Sequence, residues 1–323
     1  MKRNLTMEHA LLLTLSKRSK LTTDQKRQLD RDDKGHNGEI DYDQIVEENS
    51  SPSWYHFKNI WIDYLGRTQL DSLLVTENGV FLTDIKNYTN HYTYTNFMWT
   101  YQNKPLSKNI NQQLLDNIVK CQSLGKVIPA MKDTQGTIIF INERAVPNIM
   151  DQMPVNYLLR YQIYDWIDSL KQPVPGNSIP IHKTVEQIKQ FIIPNPYDHN
   201  YICSDEEFKK LKKGIYCCKC GSFHLEIGSR FVNCSCGCKE RKERAVLRSI
   251  CEYGVLQNNK ELSVNNLFEF LDKKIPKQFI YRKLQRFFVP VTGKSRVTFY
   301  KNPKMLYEFV FEATKDSKIL RIE

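Results

Sequence analysis

Six of the nine cysteines fall between Cys217 and Cys238, in YCCKCGSFHLEIGSRFVNCSCGCKE. The spacing is Cys217-x-x-Cys220-Gly, an apolar stretch, then Cys234-x-Cys236-Gly-Cys238. Tetrahedral Zn²⁺ takes four thiolates, and two cysteine turns facing each other across a short β-hairpin supply them without a large core, as in a zinc ribbon. Cys217, Cys220, Cys234 and Cys236 are the expected ligands; Cys238 is an alternative to Cys236, Cys218 to Cys217, and His224 is an outsider. Four thiolates leave no open position on the metal, so the site reads as structural. Glycines after Cys220 and Cys236 permit the tight turns. Cys121, Cys203 and Cys251 sit apart and read as small buried hydrophobes.

At 323 residues and 41% hydrophobic content the chain is long enough for two or three domains. The apolar run ALLLTL near the start is short and is followed by no small-residue cleavage pattern, and no run reaches the eighteen or so apolar residues of a membrane helix. A cytoplasmic protein with no membrane partner is expected. The net charge is +11, yet residues 1–204 are nearly neutral. Residues 239–304 hold 16 Lys and Arg against 6 Asp and Glu, so a polyanion would be gripped there.

Five segments are expected: an N-terminal helical extension (1–30), an α/β domain (31–193), a linker (194–213) around the proline-rich IPNPYDHN, the zinc ribbon (214–240) and a basic C-terminal domain (241–323). KLTTDQKRQLD reads as a surface helix capped near Thr22 or Thr23. HNGEIDYDQIVEEN reads as a second helix with Glu39 in its first turns. HFKNIWIDYL, QLDSLLVTENGVFLTDIKNY and HYTYTNFMWTYQ then read as a strand meander, and KNINQQLLDNIVKCQSLG as an amphipathic helix before the short strand GTIIFINE. The result is a single mixed sheet flanked by helices.

Within that meander two acids interrupt apolar strands. Side chains alternate across a strand, so Asp84 and Lys86 share one face while Ile85 points to the other. A two-residue Asn78-Gly79 turn pairs 77 with 80 and 71 with 86, which sets Asp71 beside Lys86 and diagonally from Asp84. Carboxylates crowded on an apolar sheet repel each other unless a cation neutralises them. Mg²⁺ suits this role, since it takes oxygen ligands and commonly pairs one or two carboxylates with substrate phosphates. Glu39 offers a third carboxylate, and Lys86 is placed to orient a water or balance charge developing on a phosphodiester.

The segments NGEIDYDQIV, TQLDSLLVTENGVFLTDIKNY and KPLSKNINQQLLDNIVKCQSLG resemble the nuclease-related domain (NERD) of the PD-(D/E)xK restriction-endonuclease-like superfamily, over about residues 31–146. The resemblance implies a restriction-endonuclease-like fold and a Mg²⁺-dependent nuclease active in DNA processing or defence against foreign DNA. It makes Glu39 the helix glutamate, Asp71 and Asp84 the core acids and Lys86 the catalytic lysine. The second acid is more often glutamate in the family. After Pro105 the family has a proline followed closely by glutamine; here Lys108 stands at that place, and Gln112 or Gln113 takes the role of the helix glutamine, Gln112 being the candidate. Zinc ribbons follow the domain in some longer relatives.

KERKERAVLRSICEYGVL, SVNNLFEFLDKK and PKQFIYRKLQRFF read as three helices, followed by SRVTFYKNP as a strand pair: the order of a winged helix. Lys277, Arg282, Lys283 and Arg286 on the third helix, with Lys294 and Arg296 on the wing, are the candidate nucleic-acid contacts, DNA being favoured over RNA. Tyr281 and Phe287 read as core. The competing reading is a catalytically inactive regulator that binds nucleic acid through the zinc and winged-helix segments.

Overall fold

A computed structural model describes residues 3–102, 104–106, 109–174, 178–197, 203–257, 262–291 and 298–302. The chain divides into two compact units, Arg31–Pro196 and, joined from two stretches of sequence, Lys2–Asp30 with Tyr197–Glu323. Among the described residues no helix is long and apolar enough to cross a membrane.

Two helices open the chain, α1 (Met7–Arg18) and α2 (Thr23–Asn49). Thr22 caps α2, its hydroxyl accepting from Gln25 N–H at 3.2 Å while the Gln25 side chain accepts from Thr22 N–H at 2.9 Å. The expected break before Glu39 does not occur. The helix runs on through Gly35 and Gly38, so Glu39 sits well inside it and not in its first turns.

Gly38 has a packing reason. A Cβ there would lie 2.5 Å from Asn87 Cβ, whereas Gly35 has open space around it. The Asn87 amide donates to Lys34 O at 2.7 Å, closing the helix onto the chain just past Lys86. Gly38→Ala is therefore expected to destabilise the unit by about 1–3 kcal/mol through overpacking. Gly35→Ala is expected to stabilise it by about 0.5–1 kcal/mol. Thermal unfolding of the two variants checks this; equal shifts would refute the close approach.

Strands β1 (Tyr55–Asp63), β2 (Arg67–Thr76) and β3 (Gly79–Lys86) form an antiparallel meander. β4 (Asn90–Thr95), β5 (Met98–Tyr101), β6 (Lys104–Pro105), α3 (Ile110–Leu124), β7 (Gln135–Phe140), β8 (Ala145–Ile149), β9 (Asn156–Leu159), α4 (Gln162–Leu170), α5 (Ile181–Lys189) and β10 (Ile192–Ile193) complete the unit. One sheet has the order β10-β1-β2-β3-β7-β9, with β3, β7 and β9 parallel. A second has the order β6-β5-β4-β8, so the single sheet expected from sequence is two. β7 occupies the free edge of β3, and the chain leaves β3 to pair β4 with β8 instead, turning at Asn90 with φ of 73°.

Alternation divides the six-stranded sheet between two cores. Leu73, Val75, Val80 and Leu82 join Ile110 and Leu114 of α3 and Val185 and Ile188 of α5. Leu74, Phe81 and Ile85 join Tyr42, Ile45 and Val46 of α2 and Ile163 and Ile167 of α4. Each fully buried Leu or Ile contributes about 1.5–3 kcal/mol. The architecture is a mixed α/β sheet flanked by helices.

The other unit contains α1, α6 (Asp205–Lys210), the three-stranded antiparallel ribbon β11 (Leu225–Ile227), β12 (Phe231–Cys234) and β13 (Lys239–Arg241), then α7 (Lys242–Leu256), α8 (Val264–Phe270), α9 (Lys277–Phe287) and the strand pair β14 (Val289–Val291) and β15 (Phe299–Lys301). The N-terminal segment, expected as a helical extension, buries Met7, Ala10, Leu11 and Leu15 in one core with Val246, Ile250, Phe270 and Leu284. Arg18, at the end of α1, is fully buried. Its Nε and Nη2 donate to Glu252 Oε2 at 2.9 and 2.6 Å, and its Nη1 to the carbonyls of Lys212 and Gly214 at 3.0 Å. Tyr216 OH donates to Glu252 Oε1 at 2.5 Å, and Arg248 donates to Tyr216 O at 2.8 Å and Glu240 Oε2 at 2.9 Å. Two guanidiniums and two carboxylates thus neutralise each other, and the network ends one residue before Cys217.

Candidate active site and cysteine cluster

The β2–β3 hairpin pairs Thr76 with Gly79 and Val75 with Val80, so its continuation sets Asp71 opposite Asp84, two residues away from the expected register. The turn explains the shift. Thr76 Oγ1 accepts from Asn78 N–H at 3.0 Å and Gly79 N–H at 3.1 Å, and neither Asn78 nor Gly79 takes a left-handed φ. The Asn78 side chain is used elsewhere, donating to the carbonyls of Leu170 and Gln172 at 2.7 and 2.8 Å and accepting from Val174 N–H at 3.1 Å. A shift of two preserves the face, because the side-chain period is two.

Regular pairing of the strands ends at Ser72 and Thr83. Beyond it, Asp71 Oδ2 accepts the backbone N–H of Ile85 at 3.3 Å, a donor the ladder would otherwise have used. Asp84 is 4% exposed. Lys86 Nζ stands 2.7 Å from Asp84 Oδ2. Burial pushes the Asp84 carboxyl up to about 6; Lys86 opposes the rise and the Asp71 carboxylate adds to it. Burial disfavours the Lys86 ammonium, but Asp84 and Asp71 more than offset this and raise its pKa. Two carboxylates and one ammonium leave a net negative, oxygen-rich site, the donor chemistry that a hard divalent cation takes.

Beside it runs an aromatic wall. Tyr88, in phase with Asp84 and Lys86, stacks on Tyr92 with ring centroids 4.6 Å apart, and Tyr92 stacks on Tyr101 at 4.9 Å. Burial and the two flanking tyrosines push the Tyr92 hydroxyl up to about 12.

The remaining predicted residues are placed differently. Glu39 follows Gly38 on α2, the helix whose buried residues cover the opposite face of the sheet, and the Glu39, Asp71 and Asp84 carboxylates do not form a set of three within 4.8 Å of one another. Gln112 is exposed on α3, donating to Asp116 Oδ1 on the same helix at 2.8 Å. Sequence reasoning missed a polar network under α2. His56 Nε2 meets Ser72 Oγ at 2.9 Å and Asp43 Oδ1 at 3.8 Å, Lys58 pairs with Asp43 at 3.7 Å and with Glu47, and Thr83 donates to Tyr42 OH at 3.1 Å. Its signal was present: Asp43 and Glu47 lie one helical turn apart, and His56 and Lys58 alternate on β1.

In the other unit, the sulfurs of Cys217, Cys220, Cys234 and Cys236 lie within 4.8 Å of one another, the expected four. Cys217 and Cys236 are 3.6 Å apart and Cys220 and Cys234 3.5 Å. Tetrahedral coordination at about 2.3 Å places sulfurs about 3.8 Å apart, so the set fits zinc. Both turns share one backbone pattern. Gly221 and Gly237, at φ of 73° and 82°, donate to the carbonyls of Cys217 and Cys234, and Cys217 and Cys234 N–H bond to the residue after each glycine, Ser222 and Cys238. Lys219 N–H donates to Cys217 Sγ at 3.4 Å. Of the alternatives, Cys217 and Cys236 are the ones that fall in this group of four sulfurs.

On α9, Ile280, Leu284 and Phe287 face the core, while Tyr281 is 43% exposed and not core as expected. Lys277 and Arg282 are exposed. Lys277 donates to Asn265 Oδ1 at 2.8 Å; Lys283 pairs with Glu243, which also lies 3.6 Å from Arg286. Lys294 and Arg296 lie outside the described residues.

Residues 34–141 match the family model of the nuclease-related domain. Searches among curated proteins and among solved structures found no match.

Proposed function

We propose that the nuclease-related domain of this chain is a Mg²⁺-dependent nuclease of the PD-(D/E)xK type that hydrolyses phosphodiester bonds, with DNA favoured over RNA. The observation that carries the reading is the half-buried Asp71 and the buried Asp84 facing each other across β2 and β3, with Lys86 at 2.7 Å from Asp84. Asp71 and Asp84, joined by Glu39 from α2, would hold Mg²⁺, which supplies a Lewis acid for the phosphate and neutralises the crowded acids. Asp84 keeps the Lys86 ammonium charged and fixed in direction. Lys86 then orients the attacking water or balances the charge that develops on the phosphate. Gln112 is the family's helix glutamine in this reading, turning from Asp116 toward substrate.

The ribbon cysteines Cys217, Cys220, Cys234 and Cys236 would hold a structural Zn²⁺. The order of three helices and a strand pair supports a winged helix that grips the phosphate backbone through Lys277, Arg282, Lys283 and Arg286, with Lys294 and Arg296. The absence of Glu39 from a close set of three carboxylates with the two aspartates favours a second reading, a non-catalytic nucleic-acid binder with the nuclease-like domain as scaffold.

Incubation of the purified chain with end-labelled DNA and RNA distinguishes them. Cleavage is expected with Mg²⁺, none with EDTA, and a fall of about 10²-fold in Lys86→Ala. Binding without cleavage under every condition would favour the second reading.

A further inference from the structure

Two cysteines remain outside the metal set, and their sulfurs face each other. Cys218 Sγ and Cys238 Sγ are 3.6 Å apart, Cys218 exposed and Cys238 half-buried. Neither belongs to the group of four sulfurs that lie within 4.8 Å of one another. Cys238 stands directly after the turn glycine, the place that Ser222 takes in the other turn, and Cys218 lies between the two ligands of its own turn. Among the described residues no third His, Cys, Asp or Glu joins the two in a metal-binding group. A pair of thiols that belongs to no four-ligand set suits a covalent bond better than a tetrahedral cation.

We propose that Cys218 and Cys238 form a dithiol that a low-molecular-weight disulfide such as oxidised glutathione converts to a second, covalent link between the two turns of the ribbon. The proposal rests on the zinc reading of the other four cysteines, because the metal keeps those sulfurs out of the exchange. The exposed Cys218 sulfur attacks the glutathione disulfide, forming a mixed disulfide and releasing one glutathione. The Cys238 sulfur then attacks Cys218, forming the protein disulfide and releasing the second. The protein loses two electrons and two protons, which leave on the two glutathione thiols. The sulfurs must close from 3.6 Å to about 2.05 Å. Zinc and the disulfide would join the same two turns, so the oxidised ribbon keeps its closure when the metal is withdrawn.

The test uses the full reduced chain, its zinc measured by elemental analysis, treated with oxidised glutathione and then mapped by mass spectrometry. The expected product is lighter by about 2 Da, carries a Cys218–Cys238 peptide and retains its zinc. Cys218→Ser and Cys238→Ser should each abolish the link. Cys121, Cys203 and Cys251 are buried and should not react. A stable glutathione adduct on Cys218, two thiols left free, or cross-links among Cys217, Cys220, Cys234 and Cys236 would each overturn the proposal. Less than one zinc per chain would instead refute the zinc reading; a specific Cys218–Cys238 link would then still support the dithiol, and scrambled pairing would not.

Discussion

Asp84→Asn is expected to lower Mg²⁺-dependent cleavage by about 10³-fold or more while making the metal-free protein more stable. The first effect follows from losing a carboxylate that would hold the cation. The second follows from its pKa. Burial, with Asp71 opposite, raises the folded-state value to about 6, and this already includes the attraction of Lys86. A carboxyl raised on folding gives stability that is complete below its unfolded value of about 4 and lost as pH rises through 6. At neutral pH the ionised Asp84 therefore opposes folding, and a neutral isostere relieves about 1–3 kcal/mol of that opposition. Thermal unfolding from pH 4 to pH 7.5 without divalent cation checks it: wild type should lose stability across the window and Asp84→Asn should lose less. Unchanged cleavage with a destabilised variant would mean that Asp84 and Lys86 are only a structural ion pair.

Glu252→Gln should cost the other unit about 3–5 kcal/mol, because it removes the shared partner of buried charges. Glu252 takes two hydrogen bonds from Arg18, one from Tyr216, and lies 3.8 Å from Arg248. Without its charge Arg18 loses the carboxylate it is paired with, and Arg248 is left with Glu240, in a region where Arg18 also lies 4.3 Å from the Phe270 ring centroid and out of reach of water. Loss of the cooperative transition of this unit in denaturant is the expected readout. A change below about 1 kcal/mol would show that the network is energetically idle.

The sites and the folds differ in how far they could be read from sequence, and the reason is range. Asp84 and Lys86 share a face because strand period is local, and the four clustered cysteines are named by spacings of two and three residues. Register depended on which side chain organises the turn. Asn78-Gly79 suggested a left-handed hairpin turn, but Thr76 holds the amides and frees Asn78 to bind the end of α4. KLTTDQKRQLD and HNGEIDYDQIVEEN read as two helices where the structure has one, and Gly38, near the start of the second, has its reason in tertiary packing, where α2 meets Asn87. Lys283 and Arg286 looked like open cations because Glu243, their partner, is on α7. Arg18 was least legible of all, as nothing near it in sequence separates an arginine bound for a core from one on a surface helix.

Arg18 and Glu252 are 234 residues apart, and the whole of Arg31–Pro196 lies between them in sequence. During synthesis Arg18 emerges long before its counter-charge exists, so α1 must wait, solvated, while the α/β unit is translated and can fold. A chain stalled or cut before residue 252 would carry α1 with its apolar side uncovered, a form prone to aggregation or capture by chaperones. Collapse of the intervening residues shortens the gap that α1 must later close and so lowers the entropic cost of closing it. Helix α1 is thus made before the α/β unit and buried after it, and completion of the core it joins reports that the α/β unit has already been synthesised.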